Sequence, residues 1–518
     1  MINRRIRIVG VAMLVCFVVL FLQLNNIQIR QAASLSKKFQ TINPPTSEWK
    51  LPRGAIFSAD GKILAESVPS HDQYKWQRIY PKATAEAFAN IIGYVAASPD
   101  LATQFGLESY YNNYLQQHSG GGVLTKHQQT DDLILTVSTK LQLLAQATLD
   151  QAALPGSAVV AIDPKNGDIL AMAGYPTYNP NLFASHNLKT ALKAFKKYVT
   201  GTPYYDNAVF NIPSFVTRPP GSTFKVVTTS AIFDHAPHIA SQVFPRVPTY
   251  TFPNSGNPPV VLQNYAREIC GGPLADALAA SCDTSYSKIG VELGAQNLGT
   301  EARAFGFDHR IPIDLPSQQV SVSGFPPTDQ ITATPYEGYS AIGQYNDTAS
   351  PLQMALVASA IANNGKIMVP HLVQRIISGD GHVAFRYHPH VWRVATSAST
   401  AQKVRSLMLG VTQNPIGTAY GLFHNPLPNG TPAYYSQGFP EAAAKTGTAE
   451  PQKNVCGTYN WLVAMAPAGP GQTPTVAVAA LAPIPTNSYS CATNPTGASV
   501  AGPLLLPVLE GALKMNLP

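Results

Sequence analysis

Four serine residues in this chain of 518 residues stand three positions before a lysine. Residues three apart share one face of a helix, so such a pair can place a hydroxyl nucleophile beside an amine that accepts its proton. The pattern is short and recurs by chance, so its surroundings must separate a catalytic pair from the others. The pairs are Ser34 with Lys37, Ser47 with Lys50, Ser222 with Lys225, and Ser285 with Lys288.

Ser222 has the surroundings of a nucleophile. It follows Arg218-Pro-Pro-Gly221, in which the prolines disfavour a preceding helix and the glycine can form a tight turn. Apolar Phe224 and Val226 come next and predict a helix with Ser222 at its N-terminus, where unpaired N–H groups favour developing negative charge. An ordinary N-cap serine would fit the same position. The first two pairs lie in polar sequence, and no special turn precedes Ser285.

Two later segments favour the catalytic interpretation of Ser222. Ser281-Cys-Asp283 stands downstream, and Lys445-Thr-Gly-Thr448 stands further on. Each short match is common by chance, but the order Ser-x-x-Lys, Ser-x-(Asn/Asp), Lys-Thr-Gly is the set of boxes shared by penicillin-binding proteins and serine β-lactamases. Three boxes in this order predict an acyl-transfer site built from distant parts of the chain.

Hydrophobic periodicity predicts the elements that must hold these residues. Asp60-Gly61 and Asp163–Gly167, each between apolar stretches, indicate hairpins. A helix followed by neighbouring strands, with a later run of strands, indicates an α/β or α+β module. The other predicted elements are a strand at Leu133–Val137, a helix at Ser138–Leu149, strands at Trp461–Met465 and Thr475–Ala480, and a closing helix at Ala501–Lys514.

The chain resembles the class B penicillin-binding proteins over most of its length. The resemblance implies an α+β transpeptidase domain of the penicillin-binding and serine β-lactamase type, with an antiparallel sheet covered by helices, a β-rich N-terminal pedestal and one transmembrane helix. Beyond the three boxes it rests on Arg53-Gly-Ala-Ile56, Asp60-Gly61, Leu64-Ala65, Thr136–Thr139, Val160–Pro164, Gly167–Met172, Arg218–Lys225, Gly343-Gln344 and Ser350–Met354. The predicted divisions are a cytoplasmic tail at 1–7, an anchor at 8–24, a pedestal at 25–137 and a transpeptidase domain at 138–518.

The resemblance implies a serine D,D-transpeptidase that cross-links peptidoglycan stem peptides and is inhibited by β-lactams. Lys225 would accept the proton of Ser222, which attacks the carbonyl of the penultimate D-Ala. Ser281 would pass a proton to the departing D-Ala, with Lys445 holding that relay electrostatically. Asp283 stands where Asn is usual, and Asp also occurs there in some elongation-type members, so the role of the Asn amide is not carried over.

The third box would bind the substrate. The hydroxyls of Thr446 and Thr448 would hold its terminal carboxylate, and Gly447 would let the peptide lie along the strand. The N–H groups of Ser222 and Thr448 would form the oxyanion hole. Tyr345 replaces the last glycine of the Gly-Gln-Gly found in many relatives, a change expected to alter a loop and not the chemistry.

The N-terminus predicts a membrane anchor. Arg4, Arg5 and Arg7 precede an apolar run from Ile8 to Leu24, which at about 1.5 Å per residue is at the short end of a bilayer span. A cleaved secretory signal is the alternative, but no small-x-small cleavage site follows. Because basic residues stay inside, an uncleaved anchor places the catalytic domain outside the bacterial cytoplasmic membrane.

Four cysteines lie beyond the predicted anchor: Cys270, Cys282, Cys456 and Cys491. Pairing of sequence neighbours would close the shortest loops, but three pairings are possible and free buried thiols are an alternative. The chain has no CxxC or HExxH and no cluster of histidines, so neither a metal nor another cofactor is expected. The net charge of +7 is spread along the chain, so no nucleic-acid partner is expected.

The expected partners follow from the resemblance. They are stem peptides on lipid-linked or nascent glycan strands, β-lactams, the cytoplasmic membrane, and a polymerase of the shape, elongation, division and sporulation family. A glycosyltransferase module has no room between Leu24 and Leu133, which favours a monofunctional enzyme. The alternatives are a D,D-carboxypeptidase or β-lactamase, which passes the acyl group to water, and a non-catalytic β-lactam sensor or scaffold.

Overall fold

The structure is a computed structural model. It describes residues 51–96, 105–116, 118–119, 129–200, 207–450, 457–485 and 495–515, together with Met13, Leu14, Cys16, Phe17, Leu20 and Gln23. The predicted anchor at 8–24 lies largely outside the described residues, as do Cys456 and Cys491. Within the described part of the chain, no helix combines the length and hydrophobicity that a membrane span requires.

The first part of the described chain combines short strands with short helices. The Asp60-Gly61 hairpin is confirmed, because the first two strands pair antiparallel and Gly61 has a φ of +74°. The strands are β1 (Ile56–Phe57), β2 (Ile63–Pro69), β3 (Trp76–Ile79), β4 (His118–Ser119), β5 (Gln129–Thr130) and β6 (Asp132–Leu135), and the helices are α1 (Ala85–Ile92), α2 (Gly106–Tyr110) and α3 (Asn112–Leu115).

A buried ion cluster joins these strands to helix α2. The Glu108 carboxylate contacts Arg53 at 2.9 Å and Arg78 at 2.6 Å, and the Tyr80 hydroxyl donates to it. Burial alone would raise the pKa of Glu108, but the two guanidinium groups lower it below its ordinary value. Removing one partner would leave an uncompensated buried charge, at a cost of about 3–5 kcal/mol.

The rest of the chain forms a larger body. Its helices are α4 (Thr139–Ala152), α5 (Pro180–Phe183), α6 (Leu188–Phe195), α7 (Ile212–Phe215), α8 (Lys225–His235), α9 (Leu274–Ala279), α10 (Asp283–Ala304), α11 (Thr334–Ala341), α12 (Pro351–Ala362), α13 (Ala398–Gln413), α14 (Tyr420–His424) and α15 (Gly502–Lys514). Its strands are β7 (Ser157–Ile162), β8 (Ile169–Tyr175), β9 (Val243–Val247), β10 (Thr249–Thr251), β11 (Val261–Gln263), β12 (Cys270–Pro273), β13 (Lys366–Met368), β14 (Val373–Ile377), β15 (Val383–Arg386), β16 (Val391–Val394), β17 (Ala443–Ala449), β18 (Thr458–Ala466) and β19 (Val476–Ile484).

A five-stranded antiparallel sheet forms the centre of this body, in the order β17-β18-β19-β7-β8. Successive residues of β7 point to opposite faces, with Val159 and Ala161 in one apolar cluster and Val160 and Ile162 in another. Helices α4 and α15 cover the first face, and α12 covers the second. Because both faces are covered, β7, β8 and β19 consist almost entirely of apolar residues. The α+β fold, the Asp163–Gly167 hairpin and the predicted helices and strands around this sheet are confirmed.

A second sheet connects the two parts of the chain, in the order β15-β14-β6-β1-β2-β3. Strand β14 pairs antiparallel with β6, for example Val373 with Leu135. The sheet of the first part is therefore completed by strands more than two hundred residues further along the chain. This sheet contains strands from both sides of residue 137, and the division predicted there stays a prediction.

Residues 343–349, here called the support loop, lie behind the turn that carries Ser222. The N–H of Gly221 donates to the Gly343 carbonyl at 2.9 Å, and Arg218 and Ala349 exchange two backbone hydrogen bonds. Tyr345 adopts a φ of +65°, the left-handed conformation that glycine takes easily. Its ring stacks on Tyr336 with the ring centroids 4.7 Å apart. Tyr345 therefore adopts a backbone conformation that a glycine would take without strain; whether the loop differs from that of relatives stays a prediction.

Asp347, in the support loop, is a buried carboxyl group. Among the described residues, neither of its carboxylate oxygens has a hydrogen-bond partner. Burial raises the pKa of Asp347 well above its ordinary value, and Asp308 raises it further, while the nearby Ser340 hydroxyl lowers it. Folding therefore favours the protonated form of the Asp347 carboxyl group.

We expect Asp347 to make the protein less stable as pH rises. The unfolded carboxyl loses its proton near pH 4, whereas the folded one keeps it to much higher pH, so unfolding is increasingly favoured between these two values. Asp347→Leu should raise the free energy of unfolding at neutral pH by about 1–3 kcal/mol and reduce this dependence. Thermal unfolding from pH 5 to 8 measures both effects.

The exposed Asp329 provides the control, because Asp329→Asn should follow the wild-type pH dependence. If Asp347→Leu and the wild type lose stability in parallel as pH rises, the buried carboxyl is not the cause.

Candidate active site

Ser222 lies in a tight turn at the start of helix α8. Residues Gly221–Phe224 form a single 3₁₀ turn that leads directly into the helix. Gly221 has a φ of +52°, and a Cβ atom on it would lie 3.1 Å from the backbone of Thr448. Ser222 is partly exposed, whereas Thr223 and Phe224, the next two residues of the turn, are buried. The predicted position of Ser222 at a helix N-terminus is confirmed.

Ser281 occupies a strained turn between helices α9 and α10. Its φ is +58°, a conformation that costs a residue with a side chain about 1–3 kcal/mol. The turn closes α9, because the N–H of Cys282 donates to the Ala277 carbonyl at 2.8 Å. A disulfide joins Cys282 to Cys270, with the Cα atoms 5.6 Å apart. This bond, one of the pairings left open by the sequence, fastens the second box to β12.

The third box lies on β17, the edge strand of the central sheet. Lys445 and Thr446 are buried. A Cβ atom on Gly447 would lie 2.8 Å from the Pro220 carbonyl oxygen and 3.1 Å from the Thr223 nitrogen. The missing side chain of Gly447 therefore allows the strand to pack against the turn of Ser222, a role different from the predicted one towards substrate.

Side chains from the three boxes meet in one hydrogen-bond network. Lys445 Nζ donates to Ser281 Oγ at 2.7 Å. Lys225 Nζ donates to Asp283 Oδ1 at 2.6 Å and to the carbonyl and hydroxyl oxygens of Ser281 at 2.6 and 3.3 Å. Ser222 Oγ donates to the same Asp283 oxygen at 3.5 Å. The structure therefore brings together all the residues predicted to carry the chemistry.

Asp283 occupies a position that the sequence did not predict. Among the described residues, Ser222 Oγ and Lys225 Nζ form no hydrogen bond with each other, although such a contact was expected. The Asp283 carboxylate accepts hydrogen bonds from both, so it connects the nucleophile to the amine. An Asn at this position would present a neutral amide in place of this charge.

Burial lowers the pKa of both lysines. It lowers the pKa of Lys225 below its ordinary value, and the adjacent Asp283 carboxylate partly offsets this effect. Burial, together with the positive charge of Lys225, lowers the pKa of Lys445 well below its ordinary value, and Asp283 again opposes the shift. A buried amine with a lowered pKa can accept and return a proton near neutral pH.

The two threonines predicted to bind substrate, Thr446 and Thr448, have partners that the sequence did not reveal. Thr446 Oγ1 lies 2.6 Å from Thr418 Oγ1, and Thr448 Oγ1 accepts a hydrogen bond from the Gly497 N–H at 3.1 Å. Thr418 belongs to no motif, and only the fold places it beside β17, where its N–H donates to the Ala279 carbonyl. No local sequence signal identifies it.

The Ser285 and Lys288 pair does not belong to the site. The Ser285 hydroxyl is buried without a hydrogen-bond partner among the described residues. Lys288 instead contacts Glu292 at 3.1 Å and Gln242 at 3.4 Å. Of the two pairs that the structure describes, Ser222 with Lys225 meets the other two boxes and Ser285 with Lys288 does not; the pairs at Ser34 and Ser47 lie outside the described residues.

We expect Ser281 to reduce stability while it supports the reaction of Ser222. Ser281→Gly and Ser281→Ala both remove the hydroxyl that receives Lys445 and Lys225, so each should slow acylation of Ser222 by a fluorescent penicillin by about 100-fold or more. Only the glycine relieves the left-handed backbone, so Ser281→Gly should be more stable than Ser281→Ala by about 1 kcal/mol and should unfold at a higher temperature.

Stopped-flow acylation and thermal unfolding of the two variants separate these effects. Equal unfolding temperatures would show that the turn is not strained. If penicillin acylated either variant at the wild-type rate, Ser281 would not belong to the proton relay.

Comparison with known proteins agrees with the fold and the site. The family model for the penicillin-binding protein transpeptidase domain matches residues 157–510, and that for the penicillin-binding protein A dimerisation domain matches residues 53–132. The peptidoglycan D,D-transpeptidase PbpA of Mycolicibacterium smegmatis is 30% identical over 99% of each chain, and that of Mycobacterium tuberculosis is 29% identical over the same shares.

The solved structures agree with these matches. The structure of penicillin-binding protein A from M. tuberculosis in its ceftriaxone acyl-enzyme complex superposes with a TM-score of 0.76 at 28% identity, covering 90% of this chain and 99% of that one. Its imipenem acyl-enzyme complex matches equally well, with a TM-score of 0.76 at 29% identity, covering 90% of this chain and 100% of that one. The chain therefore belongs to the class B penicillin-binding proteins and is a serine D,D-transpeptidase.

Proposed function

We propose that this protein cross-links peptidoglycan stem peptides through an acyl-enzyme on Ser222, with Lys225, Asp283, Ser281 and Lys445 moving the protons. The single observation that carries the proposal is the network in which these five side chains meet. They come from a turn, a second turn and an edge strand that are far apart in sequence. Their convergence on one partly exposed hydroxyl is the arrangement that acyl transfer needs.

The first half-reaction forms the ester. Ser222 Oγ attacks the carbonyl carbon of the penultimate D-Ala, and the amide bond to the terminal D-Ala breaks. The serine proton goes to Lys225, for which the Asp283 carboxylate provides a path, since its Oδ1 lies 3.5 Å from the hydroxyl and 2.6 Å from the amine. Ser281, which contacts both lysines, returns a proton to the departing D-Ala nitrogen.

The strand β17 positions the donor peptide. As an edge strand it can accept the peptide as an additional strand, with the terminal carboxylate at the hydroxyls of Thr446 and Thr448. Thr418 supports Thr446 from the protein side. The close packing of β17 on the nucleophile turn supports an oxyanion hole formed by the N–H groups of Ser222 and Thr448.

The second half-reaction needs an acceptor amine. The amine of a second stem peptide attacks the ester carbonyl, which releases Ser222 and forms the cross-link. Water in place of the amine would make the protein a D,D-carboxypeptidase or β-lactamase. The module before residue 137 supports transpeptidation, because hydrolysis of a small substrate does not require it.

The cellular setting is part of the proposal. The apolar run at 8–24 anchors the chain in the bacterial cytoplasmic membrane and leaves the catalytic domain outside the cytoplasm. A polymerase of the shape, elongation, division and sporulation family supplies the glycan strands, contacting the anchor and the pedestal. The disulfide between Cys270 and Cys282 supports an oxidising compartment.

Acylation by a fluorescent penicillin tests the nucleophile. We expect the wild type to carry the label on Ser222, as located by peptide mass spectrometry, and Ser222→Ala to carry none. Ser285→Ala is the matched control, because it changes the other helical Ser-x-x-Lys pair and should label at the wild-type rate. Label on Ser285, or full labelling of Ser222→Ala, would contradict the assignment.

The same preparation distinguishes the three functions. With a stem peptide ending in D-Ala-D-Ala and an acceptor amine, a transpeptidase forms the amide-linked dimer in preference to the hydrolysed peptide. Hydrolysed peptide alone would indicate a carboxypeptidase. Label on Ser222 without either product would indicate a sensor.

A further inference from the structure

Helix α6 (Leu188–Phe195) buries small residues and exposes large ones. Ala191 and Ala194 are 2% and 4% exposed, whereas Leu188 and Leu192 are 47% and 45% exposed. A helix that only packs against its own protein buries leucine in preference to alanine, because the larger side chain removes more apolar surface from water. The reversed pattern indicates that the outer face contacts something beyond this chain.

Lysines occupy the remainder of the outer face. Lys189 and Lys193 are exposed, and they lie one position after the two leucines. At about 100° per residue, the leucines form one stripe along the helix and these lysines form the next. The following turn continues with Lys196 and Lys197, and no acidic residue occurs between positions 187 and 200. The outer face is therefore both apolar and basic.

The helix is attached to the part of the molecule that follows the predicted anchor. Ahead of it, the Ala184 carbonyl accepts a hydrogen bond from Gln77 at 2.8 Å, and His186 contacts Asp72 at 2.5 Å. Both partners belong to the β2–β3 hairpin or to its turn. Lys197, just after the helix, lies near the acidic Glu86 of α1. The positive charge of the outer face is therefore assigned to Lys189 and Lys193.

We propose that α6 lies on the anionic surface of the lipid bilayer, with Leu188 and Leu192 at the boundary of headgroups and acyl chains and the lysines at the phosphates. Adjacent apolar and lysine stripes are typical of helices that lie in the membrane interface. A protein partner fits less well, because two half-exposed leucines are too narrow a stripe for the roughly 800 Å² per side of a stable interface. The contact would fix the orientation of the catalytic domain above the membrane.

Tryptophan quenching in vesicles tests this contact with the full-length chain. The added indole of Leu192→Trp should be quenched by brominated lipids in vesicles that contain phosphatidylglycerol, and several-fold less in purely zwitterionic vesicles. Ile416→Trp is the matched control, because Ile416 is 46% exposed in the transpeptidase body. The four native tryptophans are common to both variants, so the difference between them reports the added residue.

The outcomes are distinct. Adding Lys189→Gln and Lys193→Gln to Leu192→Trp should abolish the extra quenching while leaving penicillin labelling of Ser222 unchanged, which shows that the fold is intact. Equal quenching at positions 192 and 416, or equal quenching in anionic and zwitterionic vesicles, would overturn the proposal. The proposal would also be overturned if a soluble anionic polymer, but not lipid, changed the fluorescence of the indole added at position 192. The proposal rests on the proposed anchor, which co-sedimentation with zwitterionic vesicles tests separately.

Discussion

Two lysine amines buried around one carboxylate are the interaction on which this structure depends. Lys225 and Lys445 have no exposed side-chain surface, and Asp283 is the acid that opposes the lowering of their pKa values. Buried amines are costly unless they are neutral or paired, so the fold must hold them rigidly. Each group accordingly comes from a regular element or its first turn: α8, α10 and β17. The reactivity of Ser222 follows from that arrangement, because the same carboxylate oxygen accepts its hydrogen bond.

Most of the surrounding architecture keeps these elements in contact. The glycines at positions 221 and 447 allow the nucleophile turn and β17 to approach more closely than side chains would permit. The support loop holds the same turn from behind through the Gly343 carbonyl. Ser281 keeps a left-handed backbone that places its hydroxyl between the two lysines. Such backbone strain at a reacting site persists only because the neighbouring helices and the disulfide determine the conformation of the turn.

Local patterns predicted much of this from sequence. The three boxes, the Asp163–Gly167 hairpin and the helix after Ser138 depend on turn chemistry and periodicity, which a few neighbouring residues encode. Long-range partners were beyond that reasoning. Thr418 reaches Thr446 only through the packing of separate segments, and β14 completes the first sheet from a distant part of the chain. The bridging position of Asp283 required the three-dimensional placement of Lys225, and the anchor at 8–24 stays a prediction.

The pH dependence of acylation tests the shared carboxylate most directly. Acylation of Ser222 requires a neutral lysine, and the Asp283 carboxylate raises the pKa of both Lys225 and Lys445. In Asp283→Asn this effect is absent, so the fall in the penicillin acylation rate on the acid side should move to lower pH, by about 1–3 pH units. The wild type and the variant should be compared from pH 4 to 9 with intact folding verified at each pH. An acid-side fall at unchanged or higher pH in Asp283→Asn would contradict the account.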